Sequence, residues 1–318
     1  GIRLSEHQVS IALTDFRGEQ MGSVALPFRM ARQADEVVAD IIEDGVRQCV
    51  TAAGLALSDV CGIGIGVPGI VDVEGRRSLS SPLFGMSDIA IGPLLEQRLK
   101  IPVRLEKAAH LVALAERWFG HGRDADIFAV VSLDQTVGLG LHMNGDVYRG
   151  AAALGAAFGH VKVGLGEASC ENGRSGSLNA YASHQAIING VKANASGAEA
   201  EKFATAQSMV NHAVGLARGG DESLQTLFER YGEALGVGLS YLINLVNPGK
   251  IILAGESIGF ADLFEPAMRR AAEANSFPAH FEATEIIVHD LDDQLWARGA
   301  AALILRDLYQ APWTVVEK

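Results

Sequence analysis

Apolar and polar positions alternate along residues 8–15 (QVSIALTD) and again along 21–28 (MGSVALPF), and FRGEQ between them places Gly18 at a turn. The chain is therefore predicted to open with an antiparallel hairpin. From Asp35 to Cys49 the period lengthens: Val38, Ile41, Ile42, Val46 and Cys49 recur at the three-and-four spacing of an amphipathic helix. The apolar run 62–67 (GIGIGV) reads as a buried strand, stopped by Pro68-Gly69, a pair that exposes backbone at the strand's carboxyl end. Residues 102–106 (PVRLE) give a further short strand, and Ala108 to Phe119 an alanine-rich helix. The first third thus reads strand, strand, helix, strand, strand, helix.

A similar grammar follows. Strands are predicted at 126–133 and 137–143, with a third in DVYRG (146–150) after a turn at Asn144-Gly145. A glycine-rich irregular loop fills 159–178. Helices are expected at 178–193, 199–217 and 222–246, then a strand at 250–253, a helix at 261–274, a strand at 285–288 and a closing helix at 294–309. The pattern predicts an α/β protein of two similar mixed sheets with helices packed on them, facing one another across a cleft. The expected boundaries are 1–118 with 294–318 for the amino-terminal lobe and 119–293 for the carboxy-terminal lobe.

Composition agrees with such a body. A chain of 318 residues with 48% hydrophobic and 20% charged residues has ample material for a core, and its apolar runs fall short of the ~20 residues of a membrane span. The formal charge of −12 repels a phosphate backbone, so the bulk surface does not hold nucleic acid. Cys49, Cys61 and Cys170 are too few and too scattered for a disulfide framework, which points to a reducing cytoplasm. The start at Gly1 rather than Met, with the apolar pattern beginning almost at once, leads us to expect further residues upstream.

Taken alone, GIGIGVPGIVD (62–72) is a strand and a turn. It is followed in order by LEKAAHLVALAE (105–116), VVSLDQTVGLGLHMNGDVYRG (130–150), FGHVKVGLGEASCENGRSGSLNAYAS (158–183), LINLVNPGKIILAG (242–255) and WARGAAALIL (296–305). These segments resemble the ROK family, which contains bacterial sugar kinases and sugar-responsive repressors. The resemblance covers essentially the whole chain and implies the actin-like ATPase, ribonuclease-H-like fold, with two lobes of mixed sheet and flanking helices around a cleft.

The departures from the kinase pattern bear on chemistry. Where ROK kinases carry a first phosphate loop of Asp-x-Gly-Gly-Thr, this chain has Arg3-Leu4-Ser5-Glu6-His7, whose Glu6 adds negative charge beside a polyanion. The second loop, similar to Gly-Thr-Gly-Ile-Gly-Ala-Gly in kinases, is Asp134-Gln135-Thr136-Val137-Gly138-Leu139-Gly140. The stretch Ser132-Leu133-Asp134 is closer to the version found in the family's repressors. The Gly-Gly pair beneath adenine is Ala254-Gly255. At the catalytic motif Glu-Asn-Asp-Ala-Asn stands Glu106-Lys107-Ala108-Ala109-His110, so the base position is Ala108, with no proton acceptor. Glu106 matches the motif's own Glu and is expected to cap or orient the helix rather than replace the base.

In the family's sugar site, Ala-Gly-Glu-x-Gly-His is matched by Gly155 to His160, keeping His160 and replacing the acid with Ala157; a later Glu is matched by Asn179 and a loop Asn by Ser81. The resemblance thus makes His160, Asn179, Lys107, His110 and Ser81 candidate ligand contacts, with Lys107 favouring an anion. The alternative for Lys107 and His110 is that both are solvated residues at a helix start. The family's structural zinc site maps to His160, Cys170, Asn172 and Ser177; two of its four ligands are lost, so no metal is expected, nor any cofactor.

Three functions remain open. The first is the ligand-sensing and oligomerisation domain of a ROK-type, sugar-responsive repressor, cytoplasmic, without kinase activity. Its winged helix-turn-helix would lie upstream, since nothing in this chain supplies a basic recognition helix. It would bind a sugar or sugar derivative, act as a homodimer or higher homo-oligomer, touch no membrane, and respond by a change in the angle between its lobes. The second is a stand-alone pseudo-kinase that binds a small metabolite. The third is an active ATP-dependent sugar kinase with relocated residues.

Overall fold

The structure is a computed structural model that describes residues 1–5, 7–28, 33–84, 88–164, 168–169, 175–194, 205–290 and 293–310. In chain order its strands are β1 (Ile2–Leu4), β2 (Gln8–Thr14), β3 (Gln20–Pro27), β4 (Ile63–Val67), β5 (Ile70–Val71), β6 (Ser78–Ser80), β7 (Val103–Lys107), β8 (Phe128–Leu133), β9 (Val137–Met143), β10 (Asp146–Val147), β11 (Lys250–Ala254) and β12 (Glu285–Val288). Its helices are α1 (Asp35–Ala52), α2 (Ile91–Leu99), α3 (Ala108–Phe119), α4 (His184–Asn194), α5 (Ala206–Arg218), α6 (Glu222–Val246), α7 (Ala261–Asn275), α8 (Pro278–Glu282) and α9 (Asp293–Gln310).

The strands form two five-stranded mixed sheets, ordered β3-β2-β1-β4-β7 and β10-β9-β8-β11-β12, and a small pair β5-β6. In the first sheet β1 lies parallel to β4 and β4 to β7, while β2 runs antiparallel to both its neighbours. In the second, β8, β11 and β12 are parallel and β9 is antiparallel to β8. The chain divides into two compact units. The first is Gly1–Asp124, Gly145–Gly155 and Leu291–Lys318; the second is Ala125–Asn144 and Ala156–Asp290.

Each unit has its own apolar core. In the first, α1 buries Val38, Ile42, Val46 and Cys49 and packs against β2 and β3, as its periodicity requires. In the second, β8 is buried at every position, and Phe228, Leu235 and Leu239 of α6 join Phe264 and Met268 of α7. Among the described residues no helix is long and apolar enough to cross a membrane.

Three predicted elements change. The helix expected over 178–193 breaks into a one-turn 3-10 helix at Leu178–Ala180 and α4, because the Ser183 hydroxyl accepts the Ala186 N–H at 3.1 Å and starts a new helix there. The helix expected over 199–217 has its described part begin at Ala206, capped by the Thr205 hydroxyl, which accepts from the Ser208 N–H at 3.1 Å. Of the strand expected in DVYRG, only Asp146–Val147 pairs. Five elements lie where none was expected: β1, whose Ile2 and Leu4 are buried, the short pair β5 and β6, α2, which buries Ile91, Leu95 and Leu99 along one face, and the five-residue α8.

The closing helix α9 packs against both the first sheet and α3. Glycine makes both contacts possible: a Cβ on Gly64 of β4 would run into the Ala300 carbonyl, and one on Gly299 into the Leu111 carbonyl. Because α3 starts at the candidate site, this approach fixes where that site stands. Gly299→Ala should gain about 1 kcal/mol of helix propensity yet lose stability overall, by about 1–3 kcal/mol from forced separation of two backbones. Chemical denaturation checks it; a Gly299→Ala protein as stable as the parent would refute the close approach.

Candidate functional site

Strand β7 delivers Glu106 and Lys107 at its carboxyl end, and α3 begins at once with Ala108. Ala108, which the resemblance aligns with the kinase base, carries only a methyl group, without lone pair or ionisable proton. Glu106 is 8% exposed, and both its oxygens are engaged. Oε1 accepts from His110 Nδ1 at 2.9 Å and from the Lys107 backbone N–H at 3.0 Å, and Oε2 accepts from Arg149 Nε at 2.7 Å. Arg149 also donates to Asp146 at 3.1 Å, and Asp146 receives Arg306 of α9 at 2.9 Å. Burial opposes ionisation of Glu106, but the His110 hydrogen bond, the His110 and Arg149 charges and the Lys107 N–H outweigh it, holding the carboxyl at about 2. A carboxylate so held is a poor proton acceptor near neutrality.

The expectation that His110 is solvated is not met. Its ring is fully buried, drawn in by the Glu106 hydrogen bond, and its Nε2 has no hydrogen-bond partner, like Arg149 Nη2. Lys107 is half-buried, and its Nζ donates to the Gly155 carbonyl at 3.0 Å. Burial lowers the Lys107 pKa, against the opposing charge of Glu106. The acceptor of that bond belongs to a strap, Gly145–Gly155, which counts with the first unit. Within the strap the Gly155 N–H donates to the Arg149 carbonyl at 2.9 Å, closing a loop that carries Gly150 at φ +73°.

In the second unit the loop after β8 is fastened from three sides. The Val137 N–H donates to Asn179 Oδ1 at 2.7 Å, the His184 N–H to the Asp134 carbonyl at 3.2 Å, and the Glu256 N–H to Asp134 Oδ1 at 2.9 Å. A phosphate cradle offers free backbone N–H groups; at Val137 and Glu256 these are already taken by side chains of the chain itself. Below them His184 Nε2 meets Ser257 Oγ at 3.1 Å, and the Tyr231 hydroxyl donates to the same oxygen at 3.2 Å. Ser257 is fully buried, so this serine–histidine pair gives no accessible nucleophile. Burial lowers the His184 pKa, against the charge of Asp134, favouring the neutral ring.

The remaining candidates fall separately. Asn179 stands against Gly159, where any Cβ would strike its amide, and so lies beside the exposed His160. Ser81 is fully buried, and its hydroxyl accepts the Leu83 N–H at 3.2 Å. At the first loop, both the N–H and the hydroxyl of Ser5 donate to the Gln8 carbonyl at 3.0 Å, closing the β1–β2 turn; Glu6 lies outside the described residues. Of the four zinc-position residues, Cys170 and Asn172 also lie outside them, and the Ser177 hydroxyl is buried without a hydrogen-bond partner. One thiol, one imidazole, an amide and a hydroxyl do not fit the donor set of a tetrahedral zinc. Arg149, Asp146 and Arg306 escaped the sequence reading: Arg149 lies 43 residues from Glu106, and Arg306 160 from Asp146.

The ROK family model matches residues 1–307. A xylose repressor from Caldicellulosiruptor bescii is 24% identical over 316 residues, covering 98% of this chain and 79% of the repressor. A ROK family transcriptional regulator, homolog of the E. coli MLC protein, superimposes with a TM-score of 0.81 at 26% identity, over 97% of this chain and 77% of its own. A ROK family glucokinase from Streptomyces griseus, in complex with glucose and AMPPNP, gives a TM-score of 0.77 at 23% identity, over 95% and 97%. The architecture is accordingly the actin-like, ribonuclease-H-like fold, shared by repressors and kinases alike.

Glu106→Gln should cost about 3 kcal/mol at pH 7, because it removes the charge that faces His110 and leaves Arg149 with Asp146 alone. The folded pKa of Glu106 is depressed, so its contribution is complete above the unfolded value near 4.3 and is lost as pH falls toward about 2. Denaturant titrations of both proteins from pH 7 to pH 2 should show the gap closing over that window; a gap independent of pH would exclude the ionised carboxylate as its cause.

Proposed function

This chain belongs to the ROK family, and we propose that it is the ligand-sensing and oligomerisation part of a sugar-responsive ROK repressor that transfers no phosphoryl group. The observation that carries the proposal is Ala108 beside a Glu106 whose oxygens are both spent on His110, Lys107 and Arg149. Loss of a positioned base removes a factor of about 10²–10⁴ in rate. The occupied N–H groups of Val137 and Glu256 argue the same way, and the similarity to a xylose repressor and a ROK transcriptional regulator supports the regulatory half. The proposed ligand contacts are Lys107 within the first unit and, separately, His160 and Asn179 within the second; His110 and Ser81 are fully buried. No cofactor takes part. With a net charge of −12, DNA would be met through a segment outside this chain, in a cytoplasmic homodimer or higher homo-oligomer.

A coupled ADP-release assay over a panel of hexoses should give only the background rate. Ala108→Asp should stay at background too, since it restores a carboxylate but frees none of the fastened N–H groups; turnover in the parent would overturn the non-kinase reading, and turnover in the variant alone would overturn the argument from the fastened N–H groups. The regulatory half predicts a basic helix-turn-helix encoded upstream of Gly1, and a reading frame without one would refute it.

A further inference from the structure

The cations around Glu106 are matched with carboxylates, with one exception. Arg149 faces Glu106 and Asp146; Arg306 faces Asp146 and Asp307; Arg104 lies 3.6 Å from Asp307. Lys107 has no carboxylate in ion-pair contact with its Nζ among the described residues, only the neutral Gly155 carbonyl at 3.0 Å. Its sequence neighbour Glu106 has both oxygens committed elsewhere. A half-buried ammonium that meets the charge of Glu106 only from outside ion-pair contact is costly, and an anion placed on it adds a stronger, charge-assisted bond. One further N–H donor of the same cluster, Arg149 Nη2, is buried without an acceptor. The local balance is thus short of negative charge in a chain whose overall charge is −12.

From these observations we infer that the β7–α3 junction seats an anionic group of the effector, a carboxylate or a phosphate, on Lys107 in place of the Gly155 carbonyl. The inference rests on the ligand-sensing reading and adds the chemical class of the ligand. The downward pull of burial on the Lys107 pKa is consistent with it, because an arriving anion relieves that strain on the charged form. Displacement of the carbonyl also has a mechanical result. The Lys107 bond holds the carboxyl end of the strap, whereas Arg149 and Asp146 hold its start. Ala151, Ala152 and Leu154 between these anchors are exposed, and the chain passes from Gly155 directly into the second unit at Ala156. Anion binding would therefore loosen the strap at the residue where the chain crosses between units.

The test is calorimetric titration of the chain with a neutral hexose, its 6-phosphate, the corresponding aldonic acid and inorganic phosphate. The expected result is that the sugar phosphate, the sugar acid or both bind about tenfold or more tighter than the neutral sugar. The phosphate and acid arms show which anion is preferred, and inorganic phosphate shows whether the sugar contributes. Lys107→Gln should abolish the preference and Lys107→Arg should keep it, with thermal melts confirming that both fold. Hydrogen exchange at residues 151–156 should rise with the anionic ligand in the parent chain. Equal affinity for neutral and charged sugars, no binding of any charged member, or a preference that survives Lys107→Gln would overturn the anion seat. The sensing reading would still stand in those cases, since phosphoryl transfer and the upstream reading frame decide it.

Discussion

A carboxylate taken out of water must find positive charge or hydrogen-bond donors, and much of the first unit's site geometry follows from how Glu106 does so. One oxygen receives His110 and the Lys107 N–H, which sets the direction in which α3 leaves β7. The other receives Arg149, which draws the strap onto the same spot, and Arg149 leads through Asp146 to Arg306 on the closing helix. Residues far apart in the chain are thus bound to one buried charge. Such a network costs desolvation for every ion in it, so it adds less to net stability than its bonds suggest; what it supplies is one arrangement in place of several.

That economy supports the proposed reading of a site that transfers no phosphoryl group. A kinase must keep a base free and a row of N–H groups unsatisfied until substrate arrives, and each such group weakens the empty protein. Here the corresponding groups are satisfied internally. Asn179 takes the Val137 N–H, and the Asp134 carboxylate, itself an anion, takes the Glu256 N–H beside Gly255. The competing acceptors are tethered, so they need not be bound from solution.

Some of this was legible in the sequence and some was not, for definite reasons. Helices α3 and α6 and strands β9 and β12 occur at their predicted bounds, because each is a clean periodic run with turn residues at its ends. Strand β1 is only three residues long and left no periodic signal, and in α2 the turn-like pair Gly92-Pro93 masks the four-residue spacing of Ile91, Leu95 and Leu99. Ala108 could be read directly, since the absence of an acceptor is a property of one residue. The partners of Glu106 could not, because pairing across 43 residues is fixed by the fold. His110 misled for a related reason: a histidine at a helix start is ordinarily wet, and only the burial of its partner carries it inside.

The site groups share one feature that explains how the fold persists while the chemistry changes. Lys107 ends β7, Asp134 follows β8, Gly255 and Glu256 follow β11, and the Pro68-Gly69 turn follows β4. All four strands are joined through parallel pairings, and it is just beyond the carboxyl ends of parallel strands that open α/β sheets bind ligands. Core energy resides upstream in the same strands, in runs such as Phe128–Leu133 that are buried at every position. A substitution past the strand end alters the chemistry with little effect on that apolar burial. Ala108, Asp134 and Lys107 all sit on the permissive side of this boundary, and the fold itself is shared with regulators and kinases alike.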